Sequence, residues 1–286
     1  MKIQLESKLK IVDIGAAINE VEPWEILYNA GIAHDLVGFE PNKEEINKLN
    51  EKHKGKDYIF LPYFIADGEE ATFYETNWAL TGSLYKPNKE YLERYQNFSE
   101  PITLVEQHSV KTHKLDNIQE VSDLDLLKMD VQGAELKILN NAIQKLSQAV
   151  VVQTEVNFVP AYEDIPMFSE VEIFLRQQGF SFHTFNGFGT RALKPLMKNN
   201  NPNLGFKQFL WSDAVFIRSF EMMGNLSPEK LKKTFLILHY CYNSYDFAYA
   251  ILTQLAAVSE EDHRASYQEV LENKGNLEVI VPETKP

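Results

Sequence analysis

The segment Leu126–Glu135, reading Leu-Leu-Lys-Met-Asp-Val-Gln-Gly-Ala-Glu, constrains the fold more than any other. Leu126, Leu127, Met129 and Val131 form a short apolar run, the pattern of a parallel strand covered on both faces. Asp130 interrupts the run near its end, and Gly133 supplies a tight turn. Leu136, Leu139, Ile143 and Leu146 continue at helical spacing, with Ile138 and Ala142 widening the stripe. A second apolar strand, Ala149–Val152, follows and ends in Gln153-Thr154-Glu155. The result is a strand-helix-strand unit with a carboxylate near the end of each strand. In open α/β sheets, ligands bind outside those carboxyl ends.

The same grammar runs through the chain. Lys10–Ile14 predicts a first strand ending in Asp13 and Gly15. Pro23 opens the next helix, where its missing N–H costs nothing, and Gly31 closes it. Leu36–Phe39 predicts a second strand ending in Glu40-Pro41. Asn42 with Glu45 has the spacing of a capping box. Tyr58–Ala66 predicts a third strand, and Pro62 within it points to a sheet edge. Asp67-Gly68 is a turn signal leading to a short strand, Ala71–Tyr74. Ile102–Val110 reads as extended. Ser169 with Glu172 signals a further helix, ended by Gly179. Phe180–Phe185 and Ser212–Ile217 predict the last strands, with a long loop over Gly187–Gln208. Ser227-Pro228 starts an amphipathic helix, Phe247–Ala257 predicts another, and the residues after about Glu260 are polar enough to fray. The order predicts an α/β fold: a doubly wound, mostly parallel sheet with helices on both faces.

The net charge of −13 argues against nucleic acid and anionic membrane surfaces as partners. The single cysteine, Cys241, excludes an intrachain disulfide and a cysteine metal cluster. The N-terminal residues lack the long apolar region of a signal peptide. A cytoplasmic protein is the expectation.

Asp13, Glu40, Asp67, Asp130 and Glu155 each fall near the end of a different predicted strand. A carboxylate after the second strand can accept hydrogen bonds from both ribose hydroxyls. A dinucleotide site would show G-x-G-x-x-G, but Asp13–Asn19 holds one glycine. S-adenosylmethionine has a ribose, an amino-acid tail and a sulfonium but no phosphate, and it suits one glycine and several carboxylates better. Asp130 and Glu155 are the first candidates for a base that takes a proton from a bound ligand. His183 and His113 are secondary ones. Ser83 and Asn157 are candidate acceptor contacts. No metal motif is present.

Val12-Asp13-Ile14-Gly15-Ala16, Gly38-Phe39-Glu40-Pro41, Leu115-Asp116, Leu127–Glu135 and Thr154-Glu155-Val156 together resemble the FkbM family of S-adenosylmethionine-dependent methyltransferases. The resemblance runs in order from about Ile11 to Ser219. It implies a class I methyltransferase, Rossmann-like sheet and methyl transfer to a hydroxyl oxygen of a sugar or secondary metabolite. It implies cofactor contacts from Asp13, Gly15, Ala16, Glu40, Pro41, Asp67 and Asp130. Glu135 belongs to the fourth-strand motif and is expected beside the acceptor. The chain departs from the commonest family pattern at Ala17 and Asn19, which keeps open a catalytically silent binding or scaffold protein on the same fold. The expected division is residues 1–219 as the methyltransferase domain and 220–286 as a helical extension, serving as a cap or a homo-oligomer contact.

Overall fold

The structure, a computed structural model, describes residues 1–18 and 21–281. Asn19 lies outside the described residues. In chain order the strands are β1 (Lys2–Gln4), β2 (Leu9–Ile14), β3 (His34–Phe39), β4 (Tyr58–Leu61), β5 (Phe64–Ile65), β6 (Glu70–Thr76), β7 (Leu104–His113), β8 (Leu126–Met129), β9 (Val151–Asn157), β10 (Phe180–Gly189), β11 (Trp211–Arg218) and β12 (Glu278–Ile280). The helices are α1 (Pro23–Asn29), α2 (Lys43–Lys52), α3 (Lys89–Leu92), α4 (Glu135–Asn140), α5 (Ile143–Leu146), α6 (Phe168–Gln177), α7 (Phe220–Met223), α8 (Pro228–Tyr242), α9 (Tyr245–Val258) and α10 (Arg264–Leu271).

Seven strands form the main sheet in the order β10-β11-β9-β8-β2-β3-β4. All run parallel except β11, which is antiparallel to both of its neighbours. Strand order reverses at β2, whose neighbours are β3 and β8. Adjacent residues along each central strand face opposite layers. Ile11, Leu36, Leu126 and Val151 enter one core with Trp24, Leu231, Phe235 and Leu252. Val12, Val37, Leu127 and Val152 enter the other with Ile138, Leu146, Val171 and Leu175.

Several boundaries differ from the sequence reading. The third strand stops at Leu61, so Pro62 ends it rather than lying inside it. Beyond the proline the chain leaves the main sheet, and β5 pairs with β7 in a separate sheet ordered β5-β7-β6. β4 is nonetheless at the sheet edge, as the proline suggested. The helix expected through Leu146 breaks at Asn141-Ala142, because the Asp116 carboxylate accepts the Gln144 and Lys145 amides and starts α5 anew. Asn42 does cap α2 through Oδ1, but Glu45 pairs with Lys48 and the Asn42 amide goes to Glu40, so the box is half formed. α6 begins at Phe168, before Ser169, with Glu170 accepting the Met167 amide at 2.6 Å. Among the described residues, those after Glu260 are built into α10 and β12, which lies parallel to β1.

Candidate active site

A cavity of about 920 Å³ opens at the carboxyl ends of β2, β3, β8 and β9. Its outer walls come from Thr76–Leu84, from Phe98, Pro101 and Ile102, and from the segment between β10 and β11.

At the β2 end, Gly15 adopts φ +83°, and a Cβ there would lie 2.0 Å from the Asp130 carbonyl oxygen. The bare backbone is thus required by the close approach of two strand ends. Gly15 and Ala16 both donate their amides to the Phe39 carbonyl. Ala16 is buried in the core and leaves Ala17 to line the cavity, which corrects the expected contact at Ala16.

Asp13 is fully buried and is not part of the cavity wall. Trp24 Nε1 donates to Asp13 Oδ2 at 2.9 Å, and the Lys128 ammonium lies 3.3 Å from Oδ1 in an ion contact. Lys128 also pairs with Glu22 at 3.1 Å. Burial alone would lower the Lys128 ammonium, but Asp13, Glu22 and Asp130 around it more than offset that and hold its pKa above the usual value. Burial, reinforced by Asp13, pushes the Glu22 carboxyl up to about 8.

Glu40 follows β3 and lines the cavity beside Pro41. It accepts the Asn42 amide at 2.7 Å, and burial raises its carboxyl to about 7. Asp67 follows β5, outside the main sheet, and does not line the cavity. Its partners are Thr112 Oγ1, the Glu69 amide and Lys137 at 3.7 Å. The expectation of cofactor contact at Asp67 is corrected accordingly, and the departure of the chain at Pro62 is the cause.

At the β8–β9 end, Asp130, Glu155 and Asn157 all line the cavity. Gln132 joins the two carboxylates, with its Nε2 2.7 Å from Asp130 Oδ1 and 3.5 Å from Glu155 Oε2. Its backbone is left-handed, φ +57°, an unusual conformation for a side-chain-bearing residue. Tyr162 donates to the Thr81 carbonyl at 2.8 Å and reaches Gln132 Oε1 at 3.2 Å. Ser83 lines the cavity and donates to the Gln132 carbonyl at 2.6 Å. Burial, then the Asp130 charge, holds the Glu155 carboxyl well above its ordinary range.

Glu135 is buried and absent from the cavity wall. Its two oxygens accept the Val131 and Gly133 amides, each at 2.9 Å, so it fastens the turn rather than facing an acceptor. His183 bonds Ser244 and packs on Phe247, and His113 packs on Tyr63. Neither histidine lines the cavity, which removes both as bases. Among the described residues, Glu75, Glu106 and His108 are the one trio whose ligand-capable atoms fall within 4.8 Å. They sit on the paired strands β6 and β7, away from the main sheet, where Glu75 and His108 line the outer cavity wall.

Gln132, Tyr162, Lys128 and Glu22 were not among the predicted site residues. Gln132 and Lys128 stood inside the most specific motif, and Glu22 stood before the helix-opening Pro23. Nothing local in the sequence singled out Tyr162.

The strand order, its single reversed strand and a cavity at the switch point define a class I, Rossmann-like methyltransferase fold. A family profile described as "Methyltransferase FkbM domain" matches residues 13–182, more than half of the chain, and the protein belongs to that family. Solved structures similar to it include magnesium protoporphyrin IX methyltransferase of Synechocystis PCC 6803, at 10% identity and TM-score 0.39, covering 74% of this chain and 71% of that one. Another is the 1,6-didemethyltoxoflavin N1-methyltransferase of Burkholderia thailandensis, at 8% identity and TM-score 0.36, covering 74% and 72%. No curated protein matches the sequence. The cofactor is S-adenosylmethionine. The site suits a group with hydroxyls and a charged tail, because Glu40 places a buried carboxyl after β3 on the cavity wall and Glu22 and Lys128 line the same cavity. Among the described residues, no helix is long and apolar enough to cross a membrane.

Proposed function

We propose that this methyltransferase acts on a hydroxyl oxygen of a small polar acceptor, a sugar or secondary metabolite. The observation that carries the reading is the Asp130–Gln132–Glu155 arrangement on the cavity wall. S-adenosylmethionine, when bound, supplies an electrophilic methyl group. The chain's part is to align an acceptor oxygen and to receive its proton. Glu155 is suited to the second task. Its burial and the nearby Asp130 charge make its carboxylate a stronger base than an exposed one. Gln132 holds that carboxylate through one N–H group and Asp130 through another contact, so both point into one space. Asn157 and Ser83 are the proposed acceptor contacts, with Gly15, Glu40, Pro41 and Asp130 toward the cofactor.

The test is turnover with a panel of hydroxylated sugars and metabolites, alongside calorimetric binding of S-adenosylhomocysteine. Glu155→Gln should lower turnover by about 10²–10⁴-fold, the range of a lost general base, and leave S-adenosylhomocysteine affinity unchanged. A protein that binds the cofactor product but turns over no acceptor would support the silent scaffold instead. Methylation confined to amine acceptors would overturn the oxygen assignment.

A further inference from the structure

We infer that Glu22 and Lys128 together clamp the zwitterionic amino-acid tail of the cofactor, with Glu22 taking the α-ammonium in place of the strand-end acid Asp13. The inference rests on S-adenosylmethionine as the cofactor and names two residues for one part of it.

The argument begins with Asp13. It is fully buried and outside the cavity wall; its Oδ2 accepts the Trp24 indole N–H at 2.9 Å, and its Oδ1, with no hydrogen-bond partner among the described residues, keeps an ion contact with the Lys128 ammonium at 3.3 Å. Among the described residues, Lys128 is the group that links Asp13 to the cavity wall. Glu22, the N-cap residue of α1, differs in its access to the cavity. It lines the cavity, its side chain keeps 14% of its accessible surface, and it shares the same Lys128 at 3.1 Å. Lys128 lines the cavity too. A carboxyl beside an ammonium at the edge of a ligand cavity presents a cation and a group that becomes an anion on ionising, and a zwitterion can bond both at once. The surrounding charges favour this. Asp13, Glu22 and Asp130 all act on Lys128, so three acids surround one base. A ligand bearing an ammonium beside its carboxylate relieves that excess better than a carboxylate alone.

Binding should also move a proton. Burial and Asp13 hold the empty Glu22 carboxyl at about 8. The groups acting on it are Asp13 of β2, Lys128 of β8, Asp130 beyond β8, and Tyr242 of α8, which with Cys241 lines the wall. An arriving ammonium favours the ionised form, so cofactor binding at pH 7 should release a proton to the buffer.

The experiment compares S-adenosylhomocysteine with 5′-methylthioadenosine, which keeps the nucleoside and thioether but lacks the amino-acid tail. Both are titrated calorimetrically into the full chain in two buffers of different ionisation enthalpy. For the unaltered protein, S-adenosylhomocysteine should bind the tighter and release a proton at pH 7, and methylthioadenosine should release none. Glu22→Gln should weaken S-adenosylhomocysteine by about ten- to hundredfold, the scale of a hydrogen bond to a charged group, and leave methylthioadenosine unchanged. Equal affinity of the unaltered protein for the two ligands would overturn the clamp and leave the cofactor assignment standing, and this comparison needs no variant to fold. An equal loss of both ligands in Glu22→Gln would also overturn it, by making Glu22 a support for the loop. Failure of the unaltered protein to bind either ligand would overturn the cofactor assignment itself, and the clamp with it.

Discussion

Glu40 illustrates how one buried carboxylate sets both affinity and its pH dependence. Its neighbours leave it a single backbone donor, Asn42, while burial raises its carboxyl to about 7. Glu40→Ala should weaken S-adenosylhomocysteine binding by about 1.5–3 kcal/mol, the scale of hydrogen bonds to a charged group. A calorimetric titration that found unchanged affinity in a folded variant would displace the ribose contact from this residue. Glu155 carries the matching prediction for the rate. Asp130 is a like charge close by, and it raises the Glu155 pKa. A base with a raised pKa is active only above that pKa, so the acid limb of kcat/KM should lie above the ordinary carboxylate range. Asp130→Asn removes the like charge, lowers the Glu155 pKa and should shift that limb to lower pH. A pH–rate profile with an unmoved limb would assign the base elsewhere.

At the scale of elements, the site is a junction of strand ends. Gly15 lets β2 meet the chain leaving β8, at a separation where any Cβ would strike the Asp130 carbonyl. Glu135 then ties the turn after β8 by accepting two of its amides. Glu135→Ala would strand two donors, at about 1–3 kcal/mol for each that stays buried, and thermal melting should register the loss. It should also depress turnover by loosening Gln132 and Asp130, although Glu135 does not line the cavity. This part of the site shows what sequence could supply. Apolar runs ended by Asp13, Glu40, Asp130 and Glu155 made the strands and their ligand-facing ends legible, because that periodicity is local. Pro62 was legible as an edge signal, but the departure of the chain to pair with β7 was not, since it depends on a partner 48 residues away, Thr112 for Phe64. Asp67 was misplaced for that reason. The break after Asn140 was hidden likewise, because its cause is the carboxylate of Asp116, not any residue within the helix. Glu135 was found as a motif member, but its work on two backbone amides could not be told from a ligand contact without the turn.

At the scale of the whole molecule, the alternation along the central strands demands two covers, and the C-terminal segment is one of them. Leu9, Ile11, Leu126, Val151, Val215 and Ile217 share a core with Leu231, Phe235, Leu238, Ile251, Leu252 and Leu255. Helices from the other side of the chain, α4, α5 and α6, cover only the opposite layer. Lys230 and Lys233 further anchor α8 through the fully buried Asp125, at 2.7 and 3.1 Å. Tyr242, at the end of α8, donates to Gln153 in the cavity wall at 2.9 Å. The segment beyond residue 219 therefore completes both the core and one side of the site, a role its lack of family motifs did not disclose. Phe235→Ala should cost about 3–5 kcal/mol, the usual range for emptying a buried aromatic site. That is a large share of the roughly 5–15 kcal/mol by which a domain is stable. A chain ending at residue 219 keeps Trp24, Leu27 and Leu49 of α1 and α2 on that face but loses α8 and α9, and leaves much of a sheet face of large aliphatic residues in water. It should bind the dye ANS and melt without a cooperative transition. A sharp two-state melt of residues 1–219 would instead show that the strands and α4–α6 form an autonomous domain, with α8 and α9 as a true appendage.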